Sequence, residues 1–132
     1  MAFRNIRKVI NISWLYLCLA IVFEVAGTTS MKLSEGLTKL LPSILLIFFY
    51  LNSLVFLTLA LKTIEISVAY AIWSGIGILI ISIIGVYYFN ESLSLVKITA
   101  IFLIIIGVVT LNFTVDHSEA SDHKSQMSEK LY

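Results

Sequence analysis

Four long stretches of the chain carry few polar residues, and short charged connectors separate them. The first runs from about Ile12 to Met31 and the second from Leu40 to Leu61. The third runs from Ile66 to Phe89, and the fourth from about Leu95 to Thr114. Each has about the 20 residues that an α-helix needs to cross roughly 30 Å of hydrocarbon. Charge brackets every one: Lys8 and Lys32, Lys39 and Lys62, Glu65 and Glu91, Lys97 and Asp116. Connectors of a few residues force consecutive helices to lie side by side and antiparallel. The alternating apolar and polar segments of a transmembrane β-barrel are absent. The pattern predicts an all-α integral membrane protein, with four transmembrane helices forming one domain over residues 12–115.

Composition supports this class and removes others. The chain has 132 residues, of which 59% are hydrophobic and 13% charged, against about 25% charged in a soluble domain. A net charge of +1, one proline and six glycines exclude a disordered chain, a collagen-like fibre and a basic nucleic-acid binder. A single cysteine, Cys18, excludes a disulfide framework and a cysteine zinc site. Residues 1–11 form a basic extension, and with the first apolar run they imitate a signal peptide. That run exceeds the 7–15 residues of a signal h-region, contains Glu24 and leads straight into the next span, so a retained helix is expected. Residues 116–132 are polar and expected to be disordered. His117 and His123 in that tail lack a third ligand at helical spacing, so no metal site is expected.

Positive charge near the helix ends sets orientation. With four spans, Arg4, Arg7, Lys8, Lys62, Lys124 and Lys130 share one side, against Lys32, Lys39 and Lys97 on the other. Without the two extensions only Lys62 opposes those three, so the four-helix core is weakly committed and the extension tips the N-terminus inside.

Seven of the eight acidic residues lie in connectors, at helix ends or in the tail; Glu24 alone sits near the middle of a span. An ionisable group at that depth costs several kcal/mol unless it faces a cavity or partner, and it marks a functional site by default. No basic residue lies deep in any span. Glu24 must therefore be protonated, hydrated or neutralised by a cation that comes and goes, and such a carboxyl can exchange a proton for a cationic ligand. The plainer alternative is a protonated glutamic acid joining two helices by a hydrogen bond. Leu17, Ala20, Gly27, Thr28 and Met31 share its face at helical spacing, with Ile21 on the shoulder. Most are small and leave room beside the carboxyl. Trp14, near the helix start, suits either an interfacial anchor or a pocket wall.

Aromatic residues supply the complement. Tyr70 and Trp73 are three apart on one face of the third helix, continued by Ser74 and Gly77. Tyr50, Ser53, Leu54 and Leu57 form a similar stripe on the second. Aromatic faces attract cations by up to about 2 kcal/mol when desolvated, so a lone carboxylate facing them makes a pocket for a hydrophobic cation. Gly75 and Gly77 permit a kink or close helix packing. Ala100 and Gly107, seven apart on the fourth helix, suit self-association.

The chain resembles the small multidrug resistance family of bacterial exporters over about residues 14–113. The resemblance rests on FEVAGTTSMKLSEG (Phe23 to Gly36), Pro42 and AYAIWSGIG (Ala69 to Gly77). It implies a dimer of four-helix protomers, homodimeric or paired with a second chain, in the bacterial cell membrane. It implies exchange of protons for lipophilic cations by alternating access, driven by the proton gradient with no cofactor and no bond-making chemistry. It assigns Glu24 to the carboxylate shared by proton and substrate, and Tyr70, Trp73 and Tyr50 to the binding aromatics. Ala20, Ile21, Gly27 and Thr28 match the small residues around the carboxylate, Gly75 and Gly77 the third-helix hinge, and Gly107 the dimer contact. Trp14, Leu17, Ser53 and Leu54 complete the expected substrate-binding set. Several positions depart from the family pattern. Trp14 stands at a frequent Tyr, Leu54 at a frequent Phe, Glu65 and Ser67 at Pro and Gly, and Ala100 at a common Gly. The quoted motifs resemble the quaternary-ammonium branch. Export of guanidinium, a polyamine or an osmolyte is the alternative in the same fold, and a non-transporting membrane subunit or a small ion channel lies outside it.

Overall fold

The computed structural model describes residues 2–111, with side chains from Lys8 onward. Among the described residues the regular structure is entirely α-helical. The elements are α1 (Ala2–Leu33), α2 (Leu40–Ala60) and α3 (Ile66–Tyr87), with a shorter apolar helix α4 (Leu95–Leu111). This is the four-helix, all-α membrane architecture that the hydropathy pattern predicts. The first three helices are long and apolar enough to cross a bilayer. The expected end of the fourth span, at residues 112–114, and the polar tail lie outside the described residues.

Helix α1 begins ten residues earlier than the apolar run. No proline or glycine interrupts Ala2–Asn11, so the basic extension continues the helix instead of leaving it; the apolar part is Lys8–Leu33. At the other end the chain reverses within a few residues. Glu35, Gly36 and Leu37 take φ of 49°, 71° and 69°, the left-handed region that costs a side chain steric energy. Ser34 holds the reversal. Its buried hydroxyl donates to the Met31 carbonyl at 2.7 Å and accepts from the Leu37 amide at 3.2 Å. Pro42 falls in the first turn of α2, where its missing N–H is no loss. Helix α3 stops at Tyr87, two residues before the expected end. There the Glu91 amide donates back to the Gly85 carbonyl at 2.9 Å, and Asn90 turns the chain at φ 53°. Ser94 then caps α4, accepting from the Lys97 amide at 3.2 Å.

Helix α1 packs against both α2 and α3 and supplies three of the seven residues of the small core. Leu17, Ile21 and Val25 pack against Ala60, Ile64, Val68 and Ala69. Toward α2 the seam is aromatic, with Phe23 against Phe49 and Phe56 at centroid distances of 5.9 and 5.3 Å. Buried Ser53 of α2 donates to the Ala20 carbonyl of α1 at 2.7 Å. Most other large apolar side chains point outward. In water that would be an aggregating surface; in a bilayer it faces solvent of its own kind, while each helix satisfies its own backbone.

Candidate functional site

The carboxyl of Glu24, six turns along α1, opens onto a cavity of about 310 Å³. Helix α1 contributes Glu24 and Thr28, α2 contributes Tyr50, and α3 contributes Trp73, Ser74, Gly77, Ile78 and Ile81. Thr28 follows Glu24 by four residues and therefore lies on the same face. Its hydroxyl donates to Glu24 Oε1 at 2.8 Å. Thr28 also lies 2.9 Å from the Tyr50 hydroxyl. A threonine hydroxyl has one proton, and that proton is engaged with the carboxyl, so the Tyr50 O–H donates to Thr28. The result is a directed chain from Tyr50 through Thr28 to Glu24.

Two glycines make the chain possible. At Gly27 a Cβ would lie 2.5 Å from Tyr50 Cδ2, so only a bare backbone lets the tyrosine ring lie across α1. At Gly77 a Cβ would lie 2.9 Å from Glu24 Oε2, so the carboxyl rests directly on α3. Among the described residues that second oxygen is buried without a hydrogen-bond partner, and so is the indole Nε1 of Trp73. No ion pair reaches Glu24 among the described residues. The Trp73 ring stands 5.6 Å from that of Tyr70, tilted by 51°, which extends an aromatic wall out of the cavity along α3. A carboxyl without a counter-ion, beside aromatic faces and in an apolar cavity, can hold either a proton or an organic cation.

The other expected residues fall elsewhere in the chain. Leu17, Ala20 and Ile21 are 1%, 0% and 4% exposed and pack in the core, and Ser53 is spent on the Ala20 carbonyl. Trp14 and Leu54 face outward, Leu54 on a shallow groove of α2 with Leu51, Val55, Thr58 and Leu59. Gly75 and Gly77 sit within unbroken helix. Each marks a close approach, Gly75 to Val108 of α4 and Gly77 to Glu24. Ala100 is exposed, and a Cβ at Gly107 would meet none of the described residues within 4 Å, so both lie on the outer face of α4 among the described helices. Cys18 is exposed. Among the described residues no group of His, Cys, Asp and Glu forms a metal-binding set; His117 and His123 lie outside them.

Sequence reasoning missed Ile78 and Ile81, which are indistinguishable by type from the isoleucines around them. It also missed a polar cluster at the end of the site. Glu91, in the α3–α4 connector, accepts from Lys32 Nζ of α1 through one oxygen and from Lys97 Nζ of α4 through the other at 3.1 Å. The Lys32 hydrogen bond, then that of Lys97, hold the Glu91 carboxyl below the usual carboxylate range. Lys32 Nζ also stands 4.6 Å from the centre of the Phe89 ring. Lys32, Phe89 and Glu91 border a small cavity of about 80 Å³ that shares Thr28 and Ile81 with the Glu24 cavity. No local spacing signals a pair separated by 59 residues.

Comparison with known proteins decides the family. The family model described as "Small Multidrug Resistance protein" matches residues 12–116. The chain belongs to the Small Multidrug Resistance family. Relatives of this family member include the membrane protein YvaE of Bacillus subtilis, 59% identical over 86% of this chain and 96% of its own length. The multidrug resistance protein EbrB of the same species is 47% identical over 80% of this chain and 90% of its own length. The quaternary ammonium compound-resistance protein QacE of Escherichia coli is 44% identical over 83% and 97%. Its apolar helices and these relatives make the family member a multi-pass protein of a bacterial membrane. Family and relatives point to a multidrug transporter and not to an enzyme.

Proposed function

We propose that this protein is a proton-coupled exporter of lipophilic, quaternary-ammonium-type cations, working by alternating access as a dimer. The observation that carries the reading is the state of Glu24. It is a mid-span carboxyl with one oxygen held by Thr28 and the other unpartnered, in an apolar cavity bordered by Trp73 and Tyr50. Proton and cation compete for the same carboxylate. Cation arrival releases the proton; proton return from the other side of the membrane displaces the cation. Because the two cannot share the group, downhill proton entry drives uphill cation exit. The relatives named for multidrug and quaternary ammonium resistance favour this substrate class over guanidinium, a polyamine or an osmolyte. Ala100 and Gly107, open on the outer face of α4, are the surface assigned to the second protomer.

The test is proton release from the detergent-solubilised protein when tetraphenylphosphonium is added near neutral pH. Release from the wild type and none from Glu24→Gln is expected. Equal release from both would remove Glu24 from the coupling role. No release from a folded wild type would remove this substrate class.

A further inference from the structure

The two glycines of the α3 motif Ser74-Gly75-Ile76-Gly77 have different neighbours. A Cβ on Gly75 would strike Val108 Cγ2 of α4 at 2.8 Å, whereas one on Gly77 would meet, among the described residues, only Glu24, at 2.9 Å from Oε2 and 3.7 Å from Cδ. Both glycines are buried. Glu24 is therefore located by two contacts of opposite kind. Thr28 holds Oε1 by a hydrogen bond at 2.8 Å, and the missing side chain at Gly77 lets the other oxygen settle on the α3 backbone, buried and without a donor. A hinge needs flexible backbone and would use either glycine alike. A seat for a carboxyl needs the empty space at one of them.

We infer that Gly77 is a positioning residue: its bare Cα is the seat of the Glu24 carboxyl on α3, and it fixes where the charge stands relative to Trp73 and Ser74 in the same cavity. The inference rests on the reading of Glu24 as the group that binds the cation. Filling the seat pushes the carboxyl away, and shortening the carboxyl by one methylene, about 1.5 Å, makes room for the added methyl. Gly77→Ala and Glu24→Asp should therefore be coupled, because each acts on the same gap.

The experiment is a double-mutant cycle on the full-length protein in detergent, with tetraphenylphosphonium affinity read by calorimetry. Gly77→Ala is expected to weaken binding about tenfold in the Glu24 background and by less than about threefold in the Glu24→Asp background. Gly75→Ala, which presses on Val108 instead, is expected to have the same effect in both backgrounds. An equal loss for Gly77→Ala in both backgrounds, or no loss in either, overturns the inference. If Gly77→Ala does not fold, recovery of the fold in the double variant supports the seat, and failure of both variants overturns it.

A second readout does not depend on binding. The infrared carbonyl band of protonated Glu24, assigned by its loss in Glu24→Gln, should move in Gly77→Ala and stay in place in Gly75→Ala; a band unmoved by Gly77→Ala overturns the seat. Undiminished cation binding by Glu24→Gln would instead refute the reading of Glu24, while the band still reports whether its carboxyl rests on Gly77.

Discussion

Thr28→Val is the substitution that separates a hydrogen-bonded chain from a set of independent contacts. It keeps the shape of the side chain and removes the hydroxyl through which Tyr50 reaches Glu24. Two hydrogen bonds go with it, at 2.9 and 2.8 Å. The inner one is made to a carboxylate whenever Glu24 is ionised, and a hydrogen bond to a charged group contributes about 1.5–3 kcal/mol. Nothing replaces it, because the other oxygen already lacks a donor. The loss falls on the ionised, cation-bound form, so tetraphenylphosphonium affinity should drop roughly ten- to a hundredfold. Tyr50→Phe removes only the outer bond, between neutral groups, which is worth about 1 kcal/mol or roughly fivefold. Tyr50 acts through Thr28, so the double variant should bind no more weakly than Thr28→Val alone. Calorimetric titration of the four proteins at one pH measures all of these quantities. A Tyr50→Phe effect equal to that of Thr28→Val, or simple additivity of the two, would refute the chain.

Two further expectations concern what holds the helices in place. Ser53→Ala removes the buried hydrogen bond to the Ala20 carbonyl and should destabilise the protein by about 0.6–1.7 kcal/mol, read as a lower midpoint in an SDS unfolding titration followed by circular dichroism. Acid should break the ion pairs of Glu91 with Lys32 and Lys97 by protonating its carboxyl, which these lysines hold below its ordinary range in the folded protein. A depressed folded value means that the stabilisation is complete above the ordinary glutamate range and is lost as pH falls through the lowered folded value. The wild type should therefore lose thermal stability over that acid range, and Glu91→Gln should show a flatter dependence there.

The helices were readable because hydropathy and length report burial in lipid without reference to any partner. Part of the site was readable for a similar reason. Helical spacing puts Thr28 one turn from Glu24, and the aromatic stripe of α3 puts Trp73 near Ser74 and Gly77. What spacing cannot supply is the rotation of one helix against another. Leu17 and Ala20 share a face with Glu24 in sequence, yet α2 and α3 close over that part of α1 and leave them in the core. Ser53 reads as a pocket hydroxyl, but a buried hydroxyl must find an acceptor, and here it takes the second lone pair of the Ala20 carbonyl. Glu91 looks like a solvated connector charge, and only the fold brings Lys32 to it.

The length of α1 gives the molecule a lever. Its 32 residues form a rod of about 48 Å at 1.5 Å per residue, while the hydrocarbon layer is about 30 Å thick. The part beyond the apolar segment is continuous with the turn that carries Glu24, so it must follow any tilt of that turn. The six residues beyond the apolar segment, 2–7, make an arm of about 9 Å, and a rocking motion of about 10° would sweep its far end through about 1.6 Å relative to the segment's edge. A spectroscopic label on the first turn of α1 would then read out the movement of the site from outside the bilayer, with no probe placed near the bound cation.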